Sequence, residues 1–293
     1  MQNVVVNLNV VVVLSVVLNS KYSMSDSLKY NCGLGLRSEF IHEVQKSDFK
    51  PSWFEVTPEN WLSINIKHRK AFEQIVAEYD IAAHGLSLSI GSNTPLDRTH
   101  LKNIKTFLDD YEIEYYSEHL SFCSLDDKQL YELLPLPMTN DMVSYLVDRI
   151  DTVQNFLGRT LILENASYYY MPYAEMNEAD FINEVMQKSG AKLLLDINNV
   201  YVNSHNHHFN PKEFLDTIDY NHISYMHIAG HLEVSEELYI DTHGEEVKKE
   251  VWDLLRYVKE GGVDKPLLLE RDNDVPEYAS MLKEFKYMQE IYS

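Results

Sequence analysis

Eight short apolar runs, most of them followed by a stretch of helical period, set the tightest limit on what this chain can fold into. They read CGLGLR (32–37), SWFEVT (52–57), DIAAHGLSL (80–88), EYYSEHLSF (114–122), TLILEN (160–165), KLLLDIN (192–198), HISYMHI (222–228) and PLLLERD (266–272). Leu193, Leu194 and Leu195 are apolar on consecutive positions, the pattern of a strand buried on both faces of a parallel sheet. Between the runs, IKHRKAFEQIVAEY places Phe72, Ile75, Val76 and Tyr79 at helical spacing. DMVSYLVDRIDTVQNFLG and EADFINEVMQKSG end on Gly158 and Gly190, natural helix stops, and EEVKKEVWDLLRYVKEGG stops at Gly261 and Gly262. Eight strand–helix units in roughly 260 residues predict a single-domain α/β fold, a (β/α)8 TIM barrel, over residues 30–293. A doubly wound open sheet is the runner-up. No GxGxxG follows the first run and no Walker A sequence occurs, so nucleotide-binding versions of that sheet lose weight.

Residues 1–23 stand apart from this alternation. VVVNLNVVVVLSVVLN is apolar and low in complexity, too Asn-interrupted for a membrane span and without a basic signal-peptide region. MSDSLKYNCGLGLR, from Met24, reads as an ordinary start. The expectation is a low-complexity apolar extension, from a mis-called start or an unstructured segment, ahead of the barrel.

In a barrel, functional side chains sit at the carboxyl ends of strands. Here His84 ends the third run, His119 falls late in the fourth, Glu164 ends the fifth, Asp196 the sixth, His227 the seventh and Glu270 the eighth. Asp241 and His243 follow in the loop YIDTHGEE, spaced so that both can turn toward one point. One such histidine is usually a rim residue, and one such carboxylate a helix cap. Six consecutive strands ending this way are not explained by caps. Four His and four carboxylates converging as bare groups would be costly, and a site of several cations would stabilise them. Oxygen and imidazole donors without thiolate suit Fe, Mn or Zn, and eight donors exceed one tetrahedral zinc.

At these residues the chain resembles the multinuclear non-heme iron-dependent oxidative enzymes, the family of the methanobactin-biosynthesis oxidase. The likeness runs from about Asn31 to the C-terminus through GLGLR, WFEVTPENWL, AHGLSLSIGS, SEHLSF, LLPLPMT, LILENAS, LLLDINNVYVNSHN, MHIAGH, DTHG and LLLERDND. The resemblance implies a barrel holding two or three iron ions, Fe(II) and Fe(III), with O2 as co-substrate. It implies oxidation of a residue, often Cys, of a ribosomally made precursor peptide, with a separate leader-recognising partner protein. Carried over residue by residue, it implies the ligands His84, His119, Glu164, Asp196, His227, Asp241, His243 and Glu270, with His84, Glu164, Asp196 and His243 closest to the chemistry. The chain departs from the family at Arg271, where Trp is expected, and at Ala166, where Pro is commoner.

Other residues carry two readings. Glu55 and Asn60 in FEVTPENW either orient substrate or a ligand histidine, or make loop and cap hydrogen bonds; the same holds for Asn198 and Asn199. His231 reads as a supporting residue before a ligand. His205 could face the site, His207 and His208 face solvent, and Tyr168, Tyr169 and Tyr170 either pack or wall a channel.

Charge narrows the partners. Lys plus Arg total 25 against 46 Asp plus Glu, a formal charge of −21, which disfavours nucleic acid. The two cysteines, Cys32 and Cys123, lie in no CxxC spacing and read as reduced thiols of a cytoplasmic protein. Besides the oxidase, the residues alone allow a Zn- or Mn-dependent barrel hydrolase or sugar isomerase, or a metal-binding protein without catalysis.

Overall fold

The structure, a computed structural model, describes residues 32–62, 66–125, 128–170 and 173–292. Its strands are β1 (Cys32–Gly35), β2 (Trp53–Val56), β3 (Asp80–His84), β4 (Tyr115–His119), β5 (Phe122–Leu125), β6 (Lys128–Leu134), β7 (Leu161–Glu164), β8 (Lys192–Asp196), β9 (Ile223–Ile228), β10 (Leu232–Ser235), β11 (Leu238–Ile240) and β12 (Leu267–Leu269). Eight of them close into a parallel barrel in the order β1-β12-β9-β8-β7-β4-β3-β2. These are the eight apolar runs, and closure rules out the open sheet. The remaining four strands form two antiparallel hairpins, β5–β6 after β4 and β10–β11 after β9, which the apolar alternation did not reveal. The N-terminal segment 1–23 lies outside the described residues.

Helices return the chain from strand to strand: α1 (Ile41–Val44), α2 (Pro58–Leu62), α3 (Ile66–Glu78), α4 (Arg98–Asp110), α5 (Asn140–Leu157), α6 (Glu178–Ser189), α7 (Ile197–His207), α8 (Pro211–Thr217), α9 (Lys249–Glu260) and α10 (Tyr278–Tyr292). Their ends follow local chemistry. Thr139 caps α5 by accepting from the Met142 N–H, and Asn177 caps α6 in the same way from Asp180. Gly158 and Gly190 close those helices at φ 70°, a left-handed conformation that glycine adopts without strain. The main core lies between the barrel wall and these helices.

Inside the barrel, side chains two residues apart on a strand stack in layers. The lower layer is apolar: Trp53, Ala82, Ile162, Leu194, Tyr225 and Leu268 form one buried cluster. Two positions further along the same strands lie Glu55, His84, Glu164, Asp196, His227 and Glu270. Period two therefore converts an apolar floor into a polar layer directly above it. Gly33 of β1 makes the floor possible, since a Cβ there would stand 2.3 Å from the Trp53 indole.

Candidate metal centre

Strand register fixes the polar layer. His119 pairs with Glu164 across β4 and β7, and Asp196 with His227 across β8 and β9. Around this ring the donor atoms fall into three neighbouring groups. In the first, His84 Nε2 lies 3.1 Å and His119 Nε2 3.3 Å from Glu164 Oε2, and the two nitrogens are 3.3 Å apart. The second joins Glu164, Asp196, His227 and Glu270, with His227 Nδ1 3.8 Å from Glu164 Oε1 and 2.8 Å from Glu270 Oε2. The third is built on His243, whose Nδ1 lies 3.1 Å from Glu270 Oε2 and whose Nε2 lies 2.7 Å from Asp241 Oδ1 and 3.8 Å from Asp196 Oδ2. Glu164 thus belongs to two groups, and Glu270 to two. All eight residues singled out from the strand ends and the DTH loop come together at one end of the barrel.

The donor set fits cations on a direct test. Glu164 Oε2, Asp196 Oδ2, His227 Nδ1, His243 Nε2 and Glu270 Oε2 are buried without a hydrogen bond of proper geometry. Buried carboxylate and imidazole atoms in that condition are costly. Each also points at a neighbour within a metal's reach, and carboxylate bridges between sites are what several hard or borderline cations require.

Charge in the protein alone is balanced by protons. Burial lowers the proton affinity of His84, but Glu164 and Glu55 outweigh it and raise its pKa to about 9. Burial pushes Asp196 up to about 8, with Glu164 and Asp241 adding to it against His243 and His227. Burial also acts to raise Glu270, yet His227 and His243 hold it well below the usual carboxylate range. His119, buried beside His84, falls to about 4 and presents a neutral ring. Loading a cation here displaces protons from the ligands.

Further polar residues surround the candidate ligands. Glu55 Oε2 lies 3.1 Å from His227 Nε2 and accepts from the Tyr225 hydroxyl at 2.7 Å. Ser117 Oγ lies 2.8 Å from His84 Nδ1. Asp196 also caps α7, its Oδ1 accepting from the Asn199 N–H, and the Asn199 side-chain amide reaches Glu164. Asn198 donates to Asp241 Oδ1 at 3.0 Å, and its carbonyl lies 2.8 Å from His231 Nδ1. His231 therefore stands behind Asp241, joined to it through Asn198. Ser167 donates to the other Asp241 oxygen, and the Tyr169 hydroxyl accepts from the Asp241 N–H. His243 itself sits at φ 47°, a strained conformation for a non-glycine residue at a functional loop.

Some sequence candidates lie elsewhere. Asn60 is exposed on α2, and the structure does not bring it to the ligands. His205 stacks on Tyr239 of the β10–β11 hairpin. His207 is half-buried rather than solvent-facing, stacked on the buried Tyr168. Sequence reasoning missed Ser117, Tyr225, Asp272 and Arg37. Ser117 and Tyr225 each stand two residues before a ligand histidine, a signal that period two carries. Asp272 Oδ2 lies 3.5 Å from His243 Nδ1, and its other oxygen pairs with Arg37. Arg271 donates to the Gly244 carbonyl and to Glu284, holding the His243 loop against α10.

The centre opens into a cavity of about 440 Å3 with His119, Glu164 and His243 at its base and Leu86, Cys123, Gln129, Leu133, Thr242 and Asn273 among its walls. Among the described residues no helix is long and apolar enough to cross a membrane.

Comparison with known proteins adds relatives. Residues 31–293 match the family described as RiPP precursor modification enzyme MbnB/TglH/ChrH, enzymes acting on ribosomally made peptides. A UPF0276 protein of Acinetobacter baylyi is 45% identical over 261 residues, covering 88% of this chain and 91% of its own. One from Shewanella sediminis is 44% identical over 270 residues, covering 91% and 95%. Among solved structures, a D-tagatose 3-epimerase-like protein superposes with TM-score 0.57 at 14% identity, covering 89% of this chain and 96% of its own. Endonuclease IV from Thermus thermophilus gives 0.58 at 13%, covering 89% and 99%. At such identities these two show the fold alone.

Proposed function

The chain belongs to the RiPP precursor modification enzyme family MbnB/TglH/ChrH, and on that premise we propose that it is an iron-dependent oxidase acting with O2 on a residue, most simply Cys, of a ribosomally made precursor peptide. The observation that carries this reading is the row of three donor groups sharing Glu164 and Glu270 at the base of a cavity. Two or three iron ions held there would supply the redox chemistry.

His84, His119 and Glu164 would hold one ion; Glu164, Asp196, His227 and Glu270 a second; His243, Glu270 and Asp272 a third, with Asp241 on the other ring nitrogen of His243. The protein's own task is to position and exclude. The polar layer is buried, so charge at the centre acts in a poorly solvated site, where electrostatic effects are stronger. The cavity walls seat the peptide's reactive residue beside His119 and His243, which turns the encounter into a local event. The barrel, taken as residues 30–293 with 1–23 as an appended extension, contains no separate leader-reading domain among its described residues. A second protein would bind the leader and deliver the peptide, raising its effective concentration. The net charge of −21 disfavours nucleic acid as partner. The two thiols, both unpaired, are in keeping with a cytoplasmic setting.

The test is anaerobic loading with ferrous iron, metal analysis, and mass spectrometry of a Cys-containing precursor with its partner protein under O2. The expected result is iron- and O2-dependent modification. Full activity with zinc alone would overturn the oxidase reading, because zinc has no redox chemistry.

A further inference from the structure

Beneath the ligands a line of buried polar atoms crosses the barrel. His84 Nδ1 lies 2.8 Å from Ser117 Oγ, which lies 2.6 Å from the Tyr225 hydroxyl. That hydroxyl lies 2.7 Å from Glu55 Oε2, which lies 3.1 Å from His227 Nε2. All five side chains are at most 3% exposed. The line begins on the far nitrogen of a histidine in the first donor group. It ends on the far nitrogen of a histidine in the second.

Hydrogen-bond inventory gives the line a direction. A carboxylate only accepts, so the Tyr225 hydroxyl and the His227 Nε2–H both donate to Glu55. Tyr225 has then spent its one hydrogen, so at 2.6 Å Ser117 donates to it. Ser117 has also spent its hydrogen, leaving His84 Nδ1–H as the donor to Ser117. The Ala83 carbonyl, the other acceptor for Ser117, is further away at 3.3 Å. With Nδ1 protonated, His84 offers a bare Nε2 toward His119 and Glu164. With Nε2 protonated, His227 offers a bare Nδ1 toward Glu270. The Trp53 ring meets Tyr225 edge-on at 5.8 Å and holds the phenol in line.

The geometry points to Ser117, Tyr225 and Glu55 as positioning residues: one directed chain anchored on Glu55 sets the tautomers of two ligand histidines in adjacent metal subsites. This rests on the metal-centre reading above. It predicts an asymmetry. Tyr225→Phe keeps the ring and removes the middle link. Ser117 is then free to donate to His84 Nδ1, which moves the histidine's hydrogen to Nε2, the ligand position. His227 keeps its bond to Glu55. The first subsite should therefore weaken while the second holds.

The experiment loads purified full-length protein with zinc as a diamagnetic probe and follows binding by titration. The ring nitrogens are read by NMR on 15N-histidine protein. Wild type should show His84 protonated at Nδ1 and His227 at Nε2. Tyr225→Phe should lose affinity for one ion by roughly 10–100-fold, the usual effect of removing such a partner, with the His227 signals unchanged. Should Tyr225→Phe fail to fold, Ser117→Ala, which removes the acceptor of His84, is read in the same way. Unchanged affinity for every ion and unchanged ring protonation in the folded variants would overturn the inference. Wild-type protein that binds no ion would instead remove the metal reading beneath it.

Discussion

Glu118 sits between Ser117 and His119 on β4, so its side chain faces away from the metal centre into the layer beneath the helices. There its Oε1 accepts from the Tyr116 hydroxyl at 2.9 Å and from the Leu88 N–H at 3.0 Å, while Glu59 accepts from the Leu86 N–H at 2.9 Å. The two carboxyls pin the loop that carries Leu86 into the cavity wall. Burial, with Glu59 adding to it, raises Glu118 from 4.5 to about 8. The sign follows from proton counting. Between those values the folded protein holds a proton that the unfolded chain releases, so stability falls as pH rises through the window and levels off above about 8. At about 1.4 kcal/mol per pH unit, the full span is worth roughly 3–5 kcal/mol. Glu118→Gln is neutral at every pH and keeps an acceptor for both donors. Its extra amide hydrogens add an offset that does not vary with pH. Urea unfolding of the metal-free proteins from pH 4.5 to 8.5 should show the variant gaining on wild type by that amount. A difference that stays constant across the range would refute the reasoning.

Two further perturbations probe the floor and the ligand loop. Gly33→Ala places a methyl against the buried Trp53 indole and should cost about 1–3 kcal/mol or more, measured as a lowered Tm and a lower metal content at fixed loading. His243→Ala removes the residue that joins Asp241 to Glu270, so bound metal should fall by one ion per chain and peptide modification should be abolished. Pull-down of the partner protein should remain intact, and unaltered product yield would take His243 out of the centre.

The barrel was legible because its strands are apolar on consecutive residues and its helices end on well-placed glycines. Six of the candidate ligands were legible because each lies at or beside the end of one of those runs, and Asp241 and His243 because they share one short loop. The two hairpins were not, since β5 begins within the same apolar stretch that ends β4, and nothing in EYYSEHLSF marks the break. Ser117 and Tyr225 escaped for a different reason. Serine and tyrosine are ordinary strand residues, and only barrel closure, which turns β4 and β9 toward one interior across β7 and β8, brings them within 2.6 Å. Glu55 was balanced between two roles, and the structure puts its carboxylate 3.1 Å from His227 Nε2. Asn60 shares the motif but lies one turn into a helix, where the side chain leaves the barrel's end. Arg271 reads as a departure within the last strand motif, yet its guanidinium is engaged by Gly244 and Glu284 and anchors the same loop.

Trp53, Tyr225, Ile162, Leu194 and Leu268 close the barrel below the candidate ligands, and above them lies the cavity lined by His119, Glu164 and His243. Under the proposed chemistry, a substrate that enters by this cavity and a product that leaves by it must use it in turn. A peptide seated in it stands between the centre and bulk solution, so a small co-reactant has to arrive before the peptide or pass around it. A modified peptide that lingers excludes the next one. Under the proposed chemistry, turnover in this protein is a queue at that cavity, and the rate at which the finished peptide is withdrawn becomes part of the enzyme's design.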